Sequence, residues 1–170
     1  MIELIIFDLD GVLVRAKEMH FNALNEALKT VDPKFCISYS DHLNIYDGLK
    51  TKDKLKILTD KKGLPVSEYE NVWIEKQKIT SQKILEIQKD ENLIELFKYL
   101  SKKDLKIACC SNSIKNSLVG ILTNLGLLDY FDYILSNEDV KKSKPHPEMY
   151  WKAMIEYSKI VKNTLPLKVY

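Results

Sequence analysis

The stretch Leu4-Ile5-Ile6-Phe7-Asp8-Leu9-Asp10-Gly11-Val12-Leu13-Val14 decides how this chain is read. Four consecutive apolar residues run straight into two carboxylates and a glycine. A run that short and that uniformly apolar suits a strand covered on both faces, as in a parallel sheet, ending where polar residues emerge. Two further runs share the pattern. Lys106-Ile107-Ala108-Cys109-Cys110 stops at Ser111-Asn112-Ser113, and Phe131-Asp132-Tyr133-Ile134-Leu135-Ser136 makes a third.

Working outward, the segments between these runs are helical. Leu118, Ile121, Leu122 and Leu125 fall at i, i+3, i+4 and i+7, one helix face, and Gly126 is placed to cap its C-terminus. Pro147 opens another helix, with Tyr150, Ala153, Met154, Tyr157 and Val161 expected on its inner side. Strand, helix, strand, helix at this spacing predicts right-handed crossovers and a parallel sheet. From about Ala16 to Lys89 the pattern is helical only, as in Phe21, Leu24, Ala27 and Leu28, with breaks at Asp32-Pro33, Gly48 and Gly63-Leu64-Pro65. The expected fold is therefore α/β, with a three-layer, Rossmann-like parallel sheet core over 1–15 and 90–170. A helical insertion spans 16–89.

Composition narrows the function. Lysine plus arginine total 26 against 24 acidic residues, a net charge of +2 that argues for neither a nucleic-acid nor a membrane surface. Arg15 is the only arginine, so anions must be met by lysine point charges rather than by bidentate guanidinium clamps. No stretch approaches the roughly 20 apolar residues of a membrane span. The N-terminus is too short and too acidic for a signal peptide. Cys36, Cys109 and Cys110 lack metal-ligand spacing. The expectation is a reduced, cytoplasmic protein.

In an open parallel sheet, ligands bind beyond the carboxyl ends of the strands. Asp8, Asp10, Ser111 and Asn112 all fall at such ends, and Lys144 follows the third run after a short loop. Singly, each has a plain structural reading as a turn carboxylate, a helix cap or a solvated lysine. Together they suit phosphoryl transfer. A carboxylate can attack phosphorus, a second carboxyl can shuttle the proton, and a hydroxyl, backbone N–H groups and an ammonium can hold the charged oxygens. Mg²⁺, bound by carboxylates, would offset the repulsion between nucleophile and dianion.

These residues carry a family resemblance. Asp8-Leu9-Asp10-Gly11-Val12 after an apolar strand resembles the first motif, D-x-D-G-[VT], of the haloacid dehalogenase superfamily. Ser111 after its strand resembles the second motif. Lys144-Pro145-His146-Pro147-Glu148-Met149-Tyr150 is similar to the third, K-P-x-P-x-x-[FY]. The helical insertion resembles the cap of the phosphatase and β-phosphoglucomutase branch. The resemblance implies an enzyme that hydrolyses phosphate monoesters of a small phosphorylated metabolite, a sugar phosphate, with Mg²⁺ and an aspartyl-phosphate intermediate. It assigns Asp8 as nucleophile, Asp10 as acid/base and both as metal ligands. Ser111, Asn112 and Lys144 become the phosphate ligands, and His20 and Lys52 the cap residues facing substrate. Asp10 points to phosphoryl transfer rather than dehalogenation, because a halide leaves without a proton.

Two departures qualify this. Thr51 stands where the mutases carry an arginine, which counts against a phosphosugar mutase, with Lys50 or Lys52 as the compensating charges. The family's fourth, acidic motif is absent, since no carboxylate follows Glu156. The core is thus expected to be C-terminally truncated, with Asp139 as a remote substitute for the missing metal ligand. On that reading the first strand is left at an edge, unless Thr164 to Tyr170 covers it, and the chain self-associates there. The competing reading is a catalytically impaired remnant that binds phosphate or a partner.

Overall fold

The computed structural model describes residues 2–103 and 105–164. Strands β1 (Leu4–Asp8), β2 (Lys106–Cys110) and β3 (Tyr133–Leu135) form a parallel sheet in the order β1-β2-β3. Asp8 lies opposite Cys110, and Cys110 opposite Leu135, so the carboxyl ends of all three strands finish in one row. The third strand is shorter than its apolar run, because Leu128–Tyr130 forms a 3-10 turn just before it.

Between β1 and β2 the described chain is helical. The elements are α1 (Lys17–Lys29), α2 (Tyr39–Asp41, continuing into a π-helical turn over His42–Tyr46), α3 (Thr51–Lys62), α4 (Tyr69–Ile84) and α5 (Glu91–Leu100). Then α6 (Lys115–Asn124) joins β2 to β3, and α7 (Glu148–Thr164) follows β3. Gly126 adopts φ 75° just past α6, a left-handed conformation that glycine takes without a Cβ penalty.

The sheet is covered on both sides, which makes the three layers. On one face Phe7, Ile107, Cys109 and Ile134 meet Ile94 and Phe97 of α5 and Leu118, Ile121 and Leu122 of α6. Phe97 lies 5.0 Å from Phe7 and 5.1 Å from Phe131, ring to ring. Such aromatic contacts add about 1 kcal/mol each beyond burial and fix the strand that ends in Asp8. On the other face Ile6, Cys110, Tyr133 and Leu135 meet Met149 and Ala153 of α7. A separate apolar cluster, from Leu24 through Leu55, Leu58 and Leu64 to Val72, holds α1, α3 and α4 together. α4 also reaches the sheet side, where Ile84 joins the first cluster and its carbonyl accepts from Asn124 at 2.7 Å.

One packing expectation changes. α7 turns Met149 and Ala153 inward and leaves Tyr150 and Met154 exposed, with Trp151 and Ile155 beside them. The inner face is therefore rotated by about one residue, which the mixed apolar sequence of this helix does not reveal. Residues of β1 are only half-buried throughout, whereas β2 is buried from Ile107 to Cys110. Among the described residues β1 pairs with β2 alone, so it has an edge strand's exposure despite a central strand's sequence. Thr164 ends α7, and the rest of the stretch expected to cover β1 if anything does, 165–170, lies outside the described residues, as does the side chain of Val161.

Candidate active site

Past β1 the backbone curls tightly. The amides of Leu13 and Val14 donate to the Leu9 carbonyl at 3.0 and 3.1 Å, and Gly11 donates to Val14 at 2.8 Å. Gly11 has φ 86°, where any side chain would be strained. Leu9 is driven fully into the core, so the residues flanking it, Asp8 and Asp10, are left facing the cleft.

Lys144 arrives from 136 residues away in sequence. Its Nζ donates to Asp8 Oδ1 at 2.6 Å and to the Cys110 carbonyl at 3.0 Å. Asp8 Oδ1 also accepts from the Leu9 amide at 2.7 Å, while Oδ2 has no partner among the described residues. One oxygen is thus anchored and the other is free to react. Asn112 brackets the lysine loop: its Oδ1 accepts from the Lys144 amide at 3.1 Å, and its Nδ2 donates to the carbonyls of Lys144 (2.9 Å) and Gly48 (2.8 Å). Its own carbonyl accepts from Asn137 at 2.7 Å. Ser111 is fully buried and its Oγ accepts from the Ser113 amide at 3.0 Å, so it lies at the strand end beneath the cleft wall.

His20 Nε2 lies 3.4 Å from Asp10 Oδ1, close enough for charge attraction, yet Asp10 Oδ1 and His20 Nδ1 are both buried without a hydrogen-bond partner. Burial pushes the Asp10 carboxyl upward. Contact with His20 and the charges of Lys144 and Lys76 outweigh it and hold the group below the usual carboxylate range. Lys52 is exposed at the cleft rim. Asp139 is engaged elsewhere: Oδ2 accepts from the amide and hydroxyl of Ser136, both at 2.7 Å, in a capping box. That geometry leaves it a cap rather than a metal ligand.

The cleft has a volume of about 740 Å³ and runs from Asp8 and Asp10 to α3 and α4. Four residues with no motif to mark them also line it: Lys54, Trp73, Lys76 and Gln77. The last three recur at i, i+3 and i+4, one face of α4, which in sequence has the look of a solvated polar face. Glu148 likewise acts without a signal of its own. Its carboxylate accepts from the amides of Lys141 and Lys142 at 2.7 and 2.9 Å, pinning the loop that delivers Lys144. Those backbone donors hold its carboxyl below its ordinary range.

A Mg²⁺ ion finds a partial donor set here. No group of three or more metal-capable side chains occurs among the described residues. Asp8 and Asp10 flank one turn, however, and the orphaned Asp10 Oδ1 is a buried oxygen without a proton donor. That fits a cation that keeps most of its waters and takes one or two carboxylates.

A D-x-D-G turn at the end of a parallel strand, met by a lysine from a distant loop beneath a helical cap, defines a class. The chain belongs to the haloacid dehalogenase-like hydrolases, whose family model matches residues 5–165. Within that family it resembles a phosphorylated carbohydrates phosphatase of Thermotoga maritima, 28% identical over 153 residues, covering 87% of this chain and 67% of the relative. It also resembles a β-phosphoglucomutase of Bacillus subtilis, 27% identical over 156 residues, covering 86% and 66%. Among solved structures, a β-phosphoglucomutase from Clostridium difficile superposes with a TM-score of 0.78 at 26% identity, covering 93% of this chain and 72% of that one. The chain thus spans about two thirds of the length of these curated relatives.

Proposed function

We propose that this site hydrolyses a phosphate monoester of a small phosphorylated metabolite, a sugar phosphate, through an aspartyl-phosphate on Asp8. The observation that carries the reading is the 2.6 Å contact between Lys144 Nζ and Asp8 Oδ1, which leaves Oδ2 of this cleft-lining side chain without a partner among the described residues. In the first step Asp8 Oδ2 bonds to phosphorus and the ester bond breaks. The arriving phosphate dianion disfavours the ionised form of Asp10, and the carboxyl, protonated in that complex, gives its proton to the departing alkoxide oxygen. In the second, Asp10 takes a proton from water as that water's oxygen bonds to phosphorus, releasing orthophosphate and restoring Asp8.

Lys144 offsets charge on the transferring oxygens. Asn112 holds the Lys144 backbone, and the Ser111 hydroxyl, at the carboxyl end of β2, is the further phosphate ligand. His20 orients Asp10, and Lys52 faces substrate from the rim. Asp8 and Asp10 would hold Mg²⁺, which when bound offsets the repulsion between carboxylate and dianion. On this reading residues 16–89 act as the cap and 1–15 with 90–170 as the catalytic core. Three free thiols, two of them buried, support a reduced cytoplasmic setting, and burial pushes Cys110 up to about 11. Among the described residues no helix is long and apolar enough to cross a membrane.

The test is Asp8→Asn, assayed on sugar phosphates with Mg²⁺ present. It keeps the shape and removes the nucleophile, so kcat should fall by several orders of magnitude. Retained turnover contradicts the covalent route. A second reading, phosphate or partner binding without turnover, is favoured by the sparse donor set among the described residues. Orthophosphate binding by a parent chain with no measurable turnover would select it.

A further inference from the structure

Most of the cleft wall is polar or charged, and Trp73 differs from it in kind. Of the side chains that line the cleft, Leu49, Trp73, Ile114 and Pro145 are apolar, and only the indole offers a broad flat face. An exposed apolar residue standing singly on a surface needs no explanation. Trp73 does not stand singly. With Gln77, Thr80 and Ile84 it falls at i, i+4, i+7 and i+11, one face of α4. Thr80 and Ile84 are buried, and Ile84 packs against α6. There a Cβ on Gly120 would lie 3.2 Å from Ile84 Cγ2, and Asn124 Nδ2 donates to the Ile84 carbonyl at 2.7 Å.

From that contact both helices lead back to the cleft, which Trp73 and Gln77 line from α4 and Ile114 and Ser117 from α6. Trp73 stands eleven residues before Ile84, and Ile114 ten before Asn124. At about 1.5 Å per residue these are rises of roughly 16 and 15 Å, so the two apolar side chains come level, one from the cap and one from the core. Trp73 is 42% exposed and makes neither a hydrogen bond nor a ring contact among the described residues. Gln77 Oε1, one turn further along the same face, is buried without a donor among them. A hydroxyl of a bound ligand would supply that donor.

We propose that Trp73 and Ile114 form a slot for the leaving group of the ester, so that the substrate is a ring-closed sugar phosphate and Trp73 selects ring over open chain. That assignment rests on the proposed function, which places the reacting phosphoryl group at Asp8 and Lys144. A sugar ring carries its hydroxyls around its rim and turns C–H bonds outward on a face. Those C–H groups meet the electron-rich face of the indole, while a rim hydroxyl donates to Gln77. An open-chain polyol has no such face and loses more internal rotation on binding.

The experiment compares kcat/KM of the whole chain, with Mg²⁺, on glucose 6-phosphate and on sorbitol 6-phosphate, which carry the same phosphate on a ring and on an open chain. The ring ester should be preferred roughly tenfold, the scale of one aromatic contact together with the ring face it buries. Trp73→Ala should bring the ratio close to one, and Trp73→Phe should restore most of it. Ile114→Ala repeats the test from α6, so a folding defect in one variant does not decide it. Trp151→Phe leaves Trp73 as the single tryptophan, and with chelator present glucose 6-phosphate should shift its emission. Equal kcat/KM for the two esters in the parent overturns the slot alone. So does a ratio that survives Trp73→Ala, an equal loss on both esters in both alanine variants, or an emission that saturating glucose 6-phosphate leaves unmoved. A Trp73-dependent preference for uridine 5′-phosphate over glucose 6-phosphate assigns the slot to an aromatic base and overturns the sugar ring. A parent chain that hydrolyses none of these esters overturns the proposed function and the slot with it.

Discussion

Asn112 holds the lysine loop by its side chain alone. Its Oδ1 accepts from the Lys144 amide, and its Nδ2 donates to the carbonyls of Lys144 and Gly48. Asn112→Ala should therefore cost about 1–3 kcal/mol in urea unfolding, the scale of a few partly buried hydrogen bonds. It should also lower kcat by releasing the loop that carries Lys144. An unchanged unfolding midpoint together with unchanged kcat contradicts that bracket. In sequence Asn112 reads as a helix cap, because partners 32 and 64 residues away leave no local pattern. Asp8 stands out in the sequence by contrast, because an apolar strand run precedes it and Asp10-Gly11-Val12-Leu13-Val14 follows. Asp10 and Lys144 follow from the same logic of strand ends. Lys54 and Lys76 are illegible for a simple reason. The chain carries many lysines, and only the fold distinguishes one drawn into a cleft from one in solvent.

At the scale of elements, the strands and long helices follow from apolar periodicity, which survives because each buries one face. The α2 region departs from regular pattern. His42 opens a π-helical turn and is fully buried against Phe21 and Tyr39, with only the Lys17 backbone near its ring as a polar neighbour that favours its charged form. Burial, and then the Lys54 charge, hold it below the usual histidine range; Asp47 pulls the other way and His20 adds to the lowering. The unfolded chain thus takes up a proton near pH 6.5, where the folded chain does not. Stability is present above that pH and declines as pH falls below it, levelling off only beneath the folded value. Melting temperatures measured from pH 7.5 down to 5.5 should fall, and His42→Phe should flatten the slope. An identical slope in the variant would show that other groups control it. α7 gives the opposite lesson: its sequence is apolar on more than one side, so periodicity alone could not choose Met149 and Ala153 as the inner face.

Across the whole molecule, the sheet and the cleft are joined by one arrangement of charge and surface. Among the described residues β1 offers an edge, and α7 exposes Tyr150, Trp151, Met154 and Ile155 as a contiguous apolar stripe. Edges and stripes of this kind recruit other chains. Sedimentation of the isolated chain should show association at micromolar concentration, weakened by Trp151→Lys. A monomer across that range contradicts the expectation. The three-layer architecture is legible because alternation of strands and helices admits few topologies. The cleft's second wall is not, because it assembles only when α3 and α4 fold over the strand ends. On the proposed route, Asp8, Asp10 and Lys144 serve one event, the transfer of a phosphoryl group to the Asp8 carboxylate. The most direct test is to quench the working chain with borohydride during hydrolysis of a sugar phosphate and map the peptides. The expected result is reduction of the acyl-phosphate at Asp8 to homoserine, absent from Asp8→Asn. Turnover that leaves Asp8 unmodified would contradict it.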